Sequence, residues 1–266
     1  MAHFEKIRYP IPTRLVLQLA LDALLGKQRS FCKDAVELVS GIVPPVKVEG
    51  LENIPYGQDF IITTNHYTRP GFQVWWRVLV LSAVLEREII WLMTSSLTFA
   101  GKWYARVARP ISEFVIAKIS KMYSFITTPP MPPQPDEAEA RAQAVRRILD
   151  CARRNPRPVL GFTPEGRDFE GGRLGWPPYG AGRFICQINR MGYYILPVGI
   201  FEEDGYFHVR IGQPYNLGEP HSHSSGEVHP TTFRLLSQRQ VDMLLARTIM
   251  RRIAILLPER LRGEFG

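Results

Sequence analysis

Two short polar stretches hold the side chains best suited to chemistry. Thr63-Thr64-Asn65-His66-Tyr67-Thr68-Arg69-Pro70 follows an apolar run and contains the one histidine near a predicted core. Phe162-Thr163-Pro164-Glu165-Gly166-Arg167-Asp168 follows another apolar run and leads into Gly171-Gly172-Arg173-Leu174-Gly175. An imidazole titrating near neutrality can take a proton from a hydroxyl. Arginine's planar fork suits phosphate, and glycine lets backbone approach a ligand closely. Ligands of open α/β sheets bind beyond the carboxyl ends of the strands, so two parallel strands would bring both stretches to one rim. That arrangement suits base chemistry on a phosphorylated substrate. Taken singly, each stretch has an ordinary reading, a strand-end histidine and a Pro-Glu-Gly turn.

The elements that must position these residues are legible from Val46 onward. Phe60–Thr64, Ile89–Met93, Val159–Phe162 and Tyr194–Val198 read as buried strands. Asp136–Arg154 reads as a helix, with acids in its first turn and arginines at its other end, matching the dipole. A second helix is expected from about Tyr179 to Met191, stopping at Gly192. Thr127–Pro135 is too proline-rich for anything but a loop, and Pro220–Pro230 reads as a surface loop. Strand–helix alternation predicts an α/β fold: a single domain with a central, mostly parallel sheet flanked by helices. The expected organisation is an N-terminal amphipathic helical segment over residues 1–45, the α/β domain over 46–230, and a basic amphipathic helix over 231–266.

The two terminal helices bear on location. Thr13 is expected to cap a helix ended by Gly26, with Arg14, Gln18 and Asp22 in one narrow polar stripe. The remaining leucine-rich face from Leu15 to Leu25 is wide enough either to pack on the main domain or to enter a membrane interface. Gln238–Leu257 places Val241, Leu244, Leu245, Ile249, Ile253 and Leu256 on one face, with Arg239, Arg247 and Arg251 elsewhere. No apolar segment reaches the roughly 18 residues of a spanning helix. Three scattered cysteines argue for a reducing compartment and against structural zinc. The expected location is therefore cytoplasmic, peripherally attached to anionic membranes.

The 266 residues carry a net charge of +8, mainly through arginine. That balance suits phosphate on lipid headgroups, small molecules or nucleic acid. No nucleic-acid module is present, so that partner is not expected. No serine-hydrolase elbow, metalloprotease helix, mononucleotide phosphate loop or dinucleotide fingerprint occurs. His221, His223 and His229 lie close in sequence but lack a rigid element and an acidic partner, so no metal site is expected.

In their order and spacing the motifs resemble the glycerolipid acyltransferase family that includes lysophosphatidic acid acyltransferases. Asn65-His66 matches that family's first block, Asn-His-x₄-Asp. Pro164-Glu165-Gly166-Arg167 is similar to its third, Phe-Pro-Glu-Gly-Thr-Arg, and is followed by Gly172-Arg173-Leu174-Gly175. Ile195-Leu196-Pro197-Val198-Gly199 resembles the fourth, and the tail from Ile253 through Gly263 is also similar. Three departures stand out. The family's aspartate position is Gly71, the second block ends in Pro129-Pro130 without its arginine, and the third lacks the residue between glycine and arginine.

The resemblance implies transfer of a fatty acyl group from an acyl thioester to a hydroxyl of a lysophospholipid or glycerol-phosphate acceptor. His66 would be the general base, with acyl-CoA or an acyl carrier protein as co-substrate and no other cofactor. Asn65, Arg69, Glu165, Gly166, Arg167 and Arg173 would bind substrate. With Gly71 in the aspartate's place, Asp168 or Glu165 is the candidate carboxylate partner for His66. The alternative is a catalytically inactive relative that binds lipid or acyl carrier without turnover.

Overall fold

The computed structural model describes residues 6–97, 103–217 and 236–266. The predicted surface loop at 220–230, with its three histidines, lies outside them. The described elements run α1 (Thr13–Leu24), α2 (Phe31–Val39), β1 (Lys47–Glu49), β2 (Phe60–Thr64), α3 (Trp75–Leu85), β3 (Ile89–Thr94), α4 (Ala105–Tyr123) and β4 (Ile126–Thr128). They continue with α5 (Ala138–Ala152), β5 (Val159–Phe162), α6 (Ala181–Asn189), β6 (Tyr194–Glu203), β7 (Tyr206–Ile211) and α7 (Gln238–Ala254). Within one part of the chain the strands lie side by side in the order β1-β7-β6-β2, and within another in the order β5-β3-β4. Strand β1 runs parallel to β7, β2 to β6, and β3 to both β4 and β5, while β6 and β7 are antiparallel. The expected α/β class with a mostly parallel sheet therefore holds.

The chain divides into two compact units. The first comprises the chain up to Val46 and Val78–Gly161; the second comprises Lys47–Arg77 and Phe162–Gly266. In the first, Gly161 on β5 is required, because a Cβ would stand 2.4 Å from the Trp91 ring of β3. Thr127 and Thr128, expected in a loop, extend edge strand β4 before the prolines begin.

Helix α1 departs from its expected cap. Its N-cap is Pro12, which offers no side-chain bond, and Thr13 is the first helical residue. Of the predicted polar stripe, Asp22 is buried and pairs with Arg29 Nη1 at 2.6 Å and Lys27 Nζ at 3.2 Å. Arg29 also grips Asp34 at 2.6 Å, and that carboxylate accepts from Tyr123 Oη at 2.8 Å. Ionic tethering thus turns α1 so that Val16, Leu17, Leu21 and Leu24 face outward, while Leu15 alone of its leucines is fully buried.

In the second unit, β2 is buried at every position and pairs with β6, and β6 turns back into β7 through Asp204-Gly205. Both turn residues have positive φ, at 49° and 77°, as a tight hairpin with the sheet's twist requires. Helix α7 begins with a capping box between Ser237 and Gln240. Its apolar face (Leu245, Ala246, Ile249, Met250, Ile253) is buried against α6 and β6. Asp242 on α7 accepts from the backbone N–H groups of Gly180 and Arg183 at 2.7 and 2.9 Å, capping α6 from outside its own chain segment. The basic helix expected at a membrane is therefore a packing element on its apolar side. Its arginine face stays open: Arg239, Arg247 and Arg251 are exposed.

Candidate active site

Every side chain of this site belongs to the second unit. Strand β2 ends at Thr64, and the next side chain fastens the turn. Asn65, 1% exposed, donates to Ile200 O and accepts from Ile200 N, each at 2.8 Å. One buried amide thus completes both backbone bonds of a β6 residue and fixes where His66 leaves the sheet. The His66 backbone N–H donates to Glu165 Oε2 at 2.6 Å, and the Gly175 N–H donates to Glu165 Oε1 at 2.9 Å. Glu165, also 1% exposed, clasps the histidine turn to the glycine-rich loop. The loop comes so close that a Cβ on Gly172, at φ 68°, would stand 2.6 Å from Thr68 O. Only glycine fits there.

The His66 ring sits between opposite charges. Its Nδ1 lies 2.6 Å from Asp168 Oδ1, and its Nε2 lies 3.1 Å from Arg77 Nη2. A guanidinium has donors and no acceptor. Nε2 must therefore present its lone pair to Arg77, which leaves the neutral ring's proton on Nδ1, within ion-pair distance of Asp168 but not aligned with it as a hydrogen bond. Burial is the main cause that lowers the His66 pKa below its ordinary value; Asp168 pulls it up, and the Arg77 charge pulls it down. Contact with His66 holds the half-exposed Asp168 carboxyl below the usual range. Burial pushes Glu165 up to about 7 against its two backbone donors, and burial pulls Arg77 down to about 10.

The structure distributes the other candidate residues unevenly. Asn65 commits its amide to β6, and Glu165 commits both oxygens to backbone N–H groups. The Arg69 guanidinium pairs with Glu202, with Nη2 to Oε1 at 2.8 Å. Arg167, Gly166 and Arg173 are exposed, and the Arg167 guanidinium lies over the Phe169 ring at 4.6 Å. Gly71 has φ 77°, with nothing nearer its would-be Cβ than Arg69 Nη1 at 3.9 Å. Arg77 was missed by the sequence reading. Its signal was present, a lone charge inside the apolar run Val74-Trp75-Trp76-Arg77-Val78-Leu79. A cation in such a run is either buried with a purpose or marks the exposed stripe of a helix. Among the described residues no group of three or more His, Cys, Asp or Glu could hold a metal ion.

Comparison with known proteins adds an independent finding. A solved structure similar to this chain is that of the 1-acyl-sn-glycerophosphate (LPA) acyltransferase PlsC from Thermotoga maritima. The two are 15% identical, with a TM-score of 0.47, over 97% of this chain and 86% of that one. No curated protein matches the sequence. The family model named Acyltransferase matches residues 45–201, more than half of the chain and inclusive of His66, Arg77, Glu165 and Asp168. The chain belongs to the Acyltransferase family.

Proposed function

We propose that the protein transfers a fatty acyl group from an acyl thioester, on CoA or an acyl carrier protein, to a hydroxyl of a lysophospholipid or glycerol-phosphate acceptor. The observation that carries this reading is the approach of Asp168 to His66 Nδ1 at 2.6 Å. A carboxylate there favours the tautomer with a free Nε2 lone pair and stabilises the imidazolium formed during reaction. The acceptor hydroxyl gives its proton to Nε2 as its oxygen attacks the thioester carbonyl carbon. The tetrahedral adduct then collapses, the carbon–sulfur bond breaks, and the proton passes from Nε2 to the departing thiolate. Arg167 and Arg173, exposed on the loop that Glu165 fastens, would hold the acceptor's phosphate.

The acidic partner thus comes from the loop after β5, whereas the resemblance puts it five residues beyond the histidine. Asn65, Arg69 and Glu165 fit a supporting role better than direct substrate contact, since their polar groups already have protein partners. The deciding assay offers acyl-CoA and acyl carrier protein donors to lysolipid, glycerol-phosphate and uncharged alcohol acceptors. Turnover abolished by His66→Ala supports the reading. Ligand binding with no turnover for any pair selects the inactive alternative.

We further propose attachment to an anionic membrane through the first unit. Helix α1 packs on α4, and both turn apolar residues outward. These are Leu17, Leu21 and Leu24 on α1, with Val107, Ile111 and Phe114 on α4. Trp103, 94% exposed beside the start of α4, has the amphipathic ring favoured at a headgroup boundary. No described helix is long and apolar enough to cross a bilayer.

A further inference from the structure

Arg77 is 7% exposed, yet its charge is poorly matched. Its Nε donates to Val74 O at 3.0 Å, its Nη2 rests on His66 Nε2 at 3.1 Å, and its Nη1 has no hydrogen-bond partner. No carboxylate forms an ion pair with it among the described residues; Asp168 and Glu165 act on it only through their field. A buried guanidinium without a counter-ion is unusual in a folded protein, because its desolvation goes uncompensated. Its position is also at odds with catalysis. The lone pair it occupies is the one an acceptor hydroxyl must reach before it can lose a proton. Substrate must therefore displace Arg77 from His66, and an anion is the partner the guanidinium lacks.

We propose that Arg77 reads the negative charge of the acceptor: a phosphate monoester draws the guanidinium off His66 Nε2, and the freed lone pair then receives the acceptor's hydroxyl. This rests on the reaction proposed above and adds a specificity device to it. The buried Nη1 is the hydrogen-bonding capacity left unfilled, so an anion that enters as the guanidinium swings off His66 is met by both terminal nitrogens in a fork-to-oxyanion contact. An uncharged alcohol has no means to move Arg77 and meets a base whose lone pair is taken. The groups acting on the ring are Asp168 at Nδ1, Arg77 at Nε2 and Glu165 at its own backbone N–H.

The test has one arm that needs no turnover. The titration midpoint of the His66 imidazole is followed by NMR in the full chain, with and without inorganic phosphate, in the wild type and in Arg77→Met. Phosphate is expected to raise the wild-type midpoint. Arg77→Met should start from a raised midpoint that phosphate leaves in place. The second arm compares kcat/KM for a phosphorylated acceptor and an uncharged alcohol. Arg77→Met is expected to lower the first about tenfold or more and to raise the second by a similar factor, the scale of one charge-assisted hydrogen bond. Such crossing with glycerol 3-phosphate identifies a soluble ester, and crossing with lysophosphatidate alone identifies a lipid headgroup. If Arg77→Met does not fold, Arg77→Gln takes its place. A wild-type midpoint indifferent to phosphate, or equal loss for both acceptors, overturns the proposal. Absence of turnover in the wild type with the phosphate response intact overturns the acyl-transfer reading and leaves Arg77 as an anion sensor.

Discussion

Asp168 is more than half exposed on its side chain, yet its position against His66 Nδ1 makes it the residue whose loss should be felt most after the histidine itself. Asp168→Asn keeps the shape and removes the charge. It is expected to lower kcat by about 10²–10⁴, the range set by general-base catalysis. The sign of its pH effect follows from the charges. Asp168 raises the His66 pKa, which burial and Arg77 lower. The base must be neutral to act, so kcat/KM should fall on the acid side with a midpoint below the ordinary value of about 6.5. Removing Asp168 should push that limb still lower, and a pH–rate profile reads both effects. Gly71→Asp, which restores the family's residue, is expected to bring no gain in kcat because Asp168 already occupies Nδ1. It should also lose about 1–2 kcal/mol of stability, since aspartate is strained at φ 77°; a melting curve beside the assay checks this. The convergence of His66 with the Glu165–Asp168 stretch was legible in sequence because both follow buried runs of one period. That Asn65 and Glu165 commit their polar atoms to backbone was not. A hydrogen-bond partner 135 or 99 positions away leaves no local trace.

At the scale of elements, legibility followed periodicity. Strands β2, β3 and β5 were read nearly to the residue because each opens on a short continuous apolar run. Helices α3 and α4 were not assigned. The first is apolar almost all round, and the second carries Pro110 and turns apolar side chains outward, so neither shows an inward stripe. The β6–β7 hairpin had its marker in Asp204-Gly205, a type of pair that hairpin turns favour. Helix α1 shows how a pattern can be legible while leaving the helix's orientation open. The polar stripe exists, but buried Asp22 is drawn inward by Arg29. From this we expect Leu17→Glu with Leu21→Glu to weaken binding to anionic vesicles severalfold, with stability within about 0.5 kcal/mol of wild type, as for exposed positions. Unchanged co-sedimentation would mean that the outward leucines do not meet lipid.

For the molecule as a whole, composition spoke earliest and least specifically. A net charge of +8 allowed lipid, nucleotide or nucleic acid, and only the ordered motifs chose among them. If the charge serves a membrane, each basic residue near the surface contributes about 1 kcal/mol, and binding should decline steadily as salt rises and the Debye length shortens. Sedimentation with anionic vesicles across a salt series measures that slope. A salt-independent association would assign attachment to the apolar helices alone.

The carboxylate of Glu165 has a further consequence, best expressed as exchange with heavy water. It holds the amide hydrogens of His66 and Gly175, while the next amide back, Leu174, donates to Leu261 O at 2.8 Å near the chain's end. Three stretches distant in sequence are thereby sewn together at adjacent stitches. The amides of His66, Leu174 and Gly175 should lose protection in a single opening event, at one shared rate, rather than fray one by one as loop amides do. Glu165→Gln leaves one acceptor where there were two and should release that seam as a unit, making all three amides exchange faster while those of β2 and β6 keep their pace.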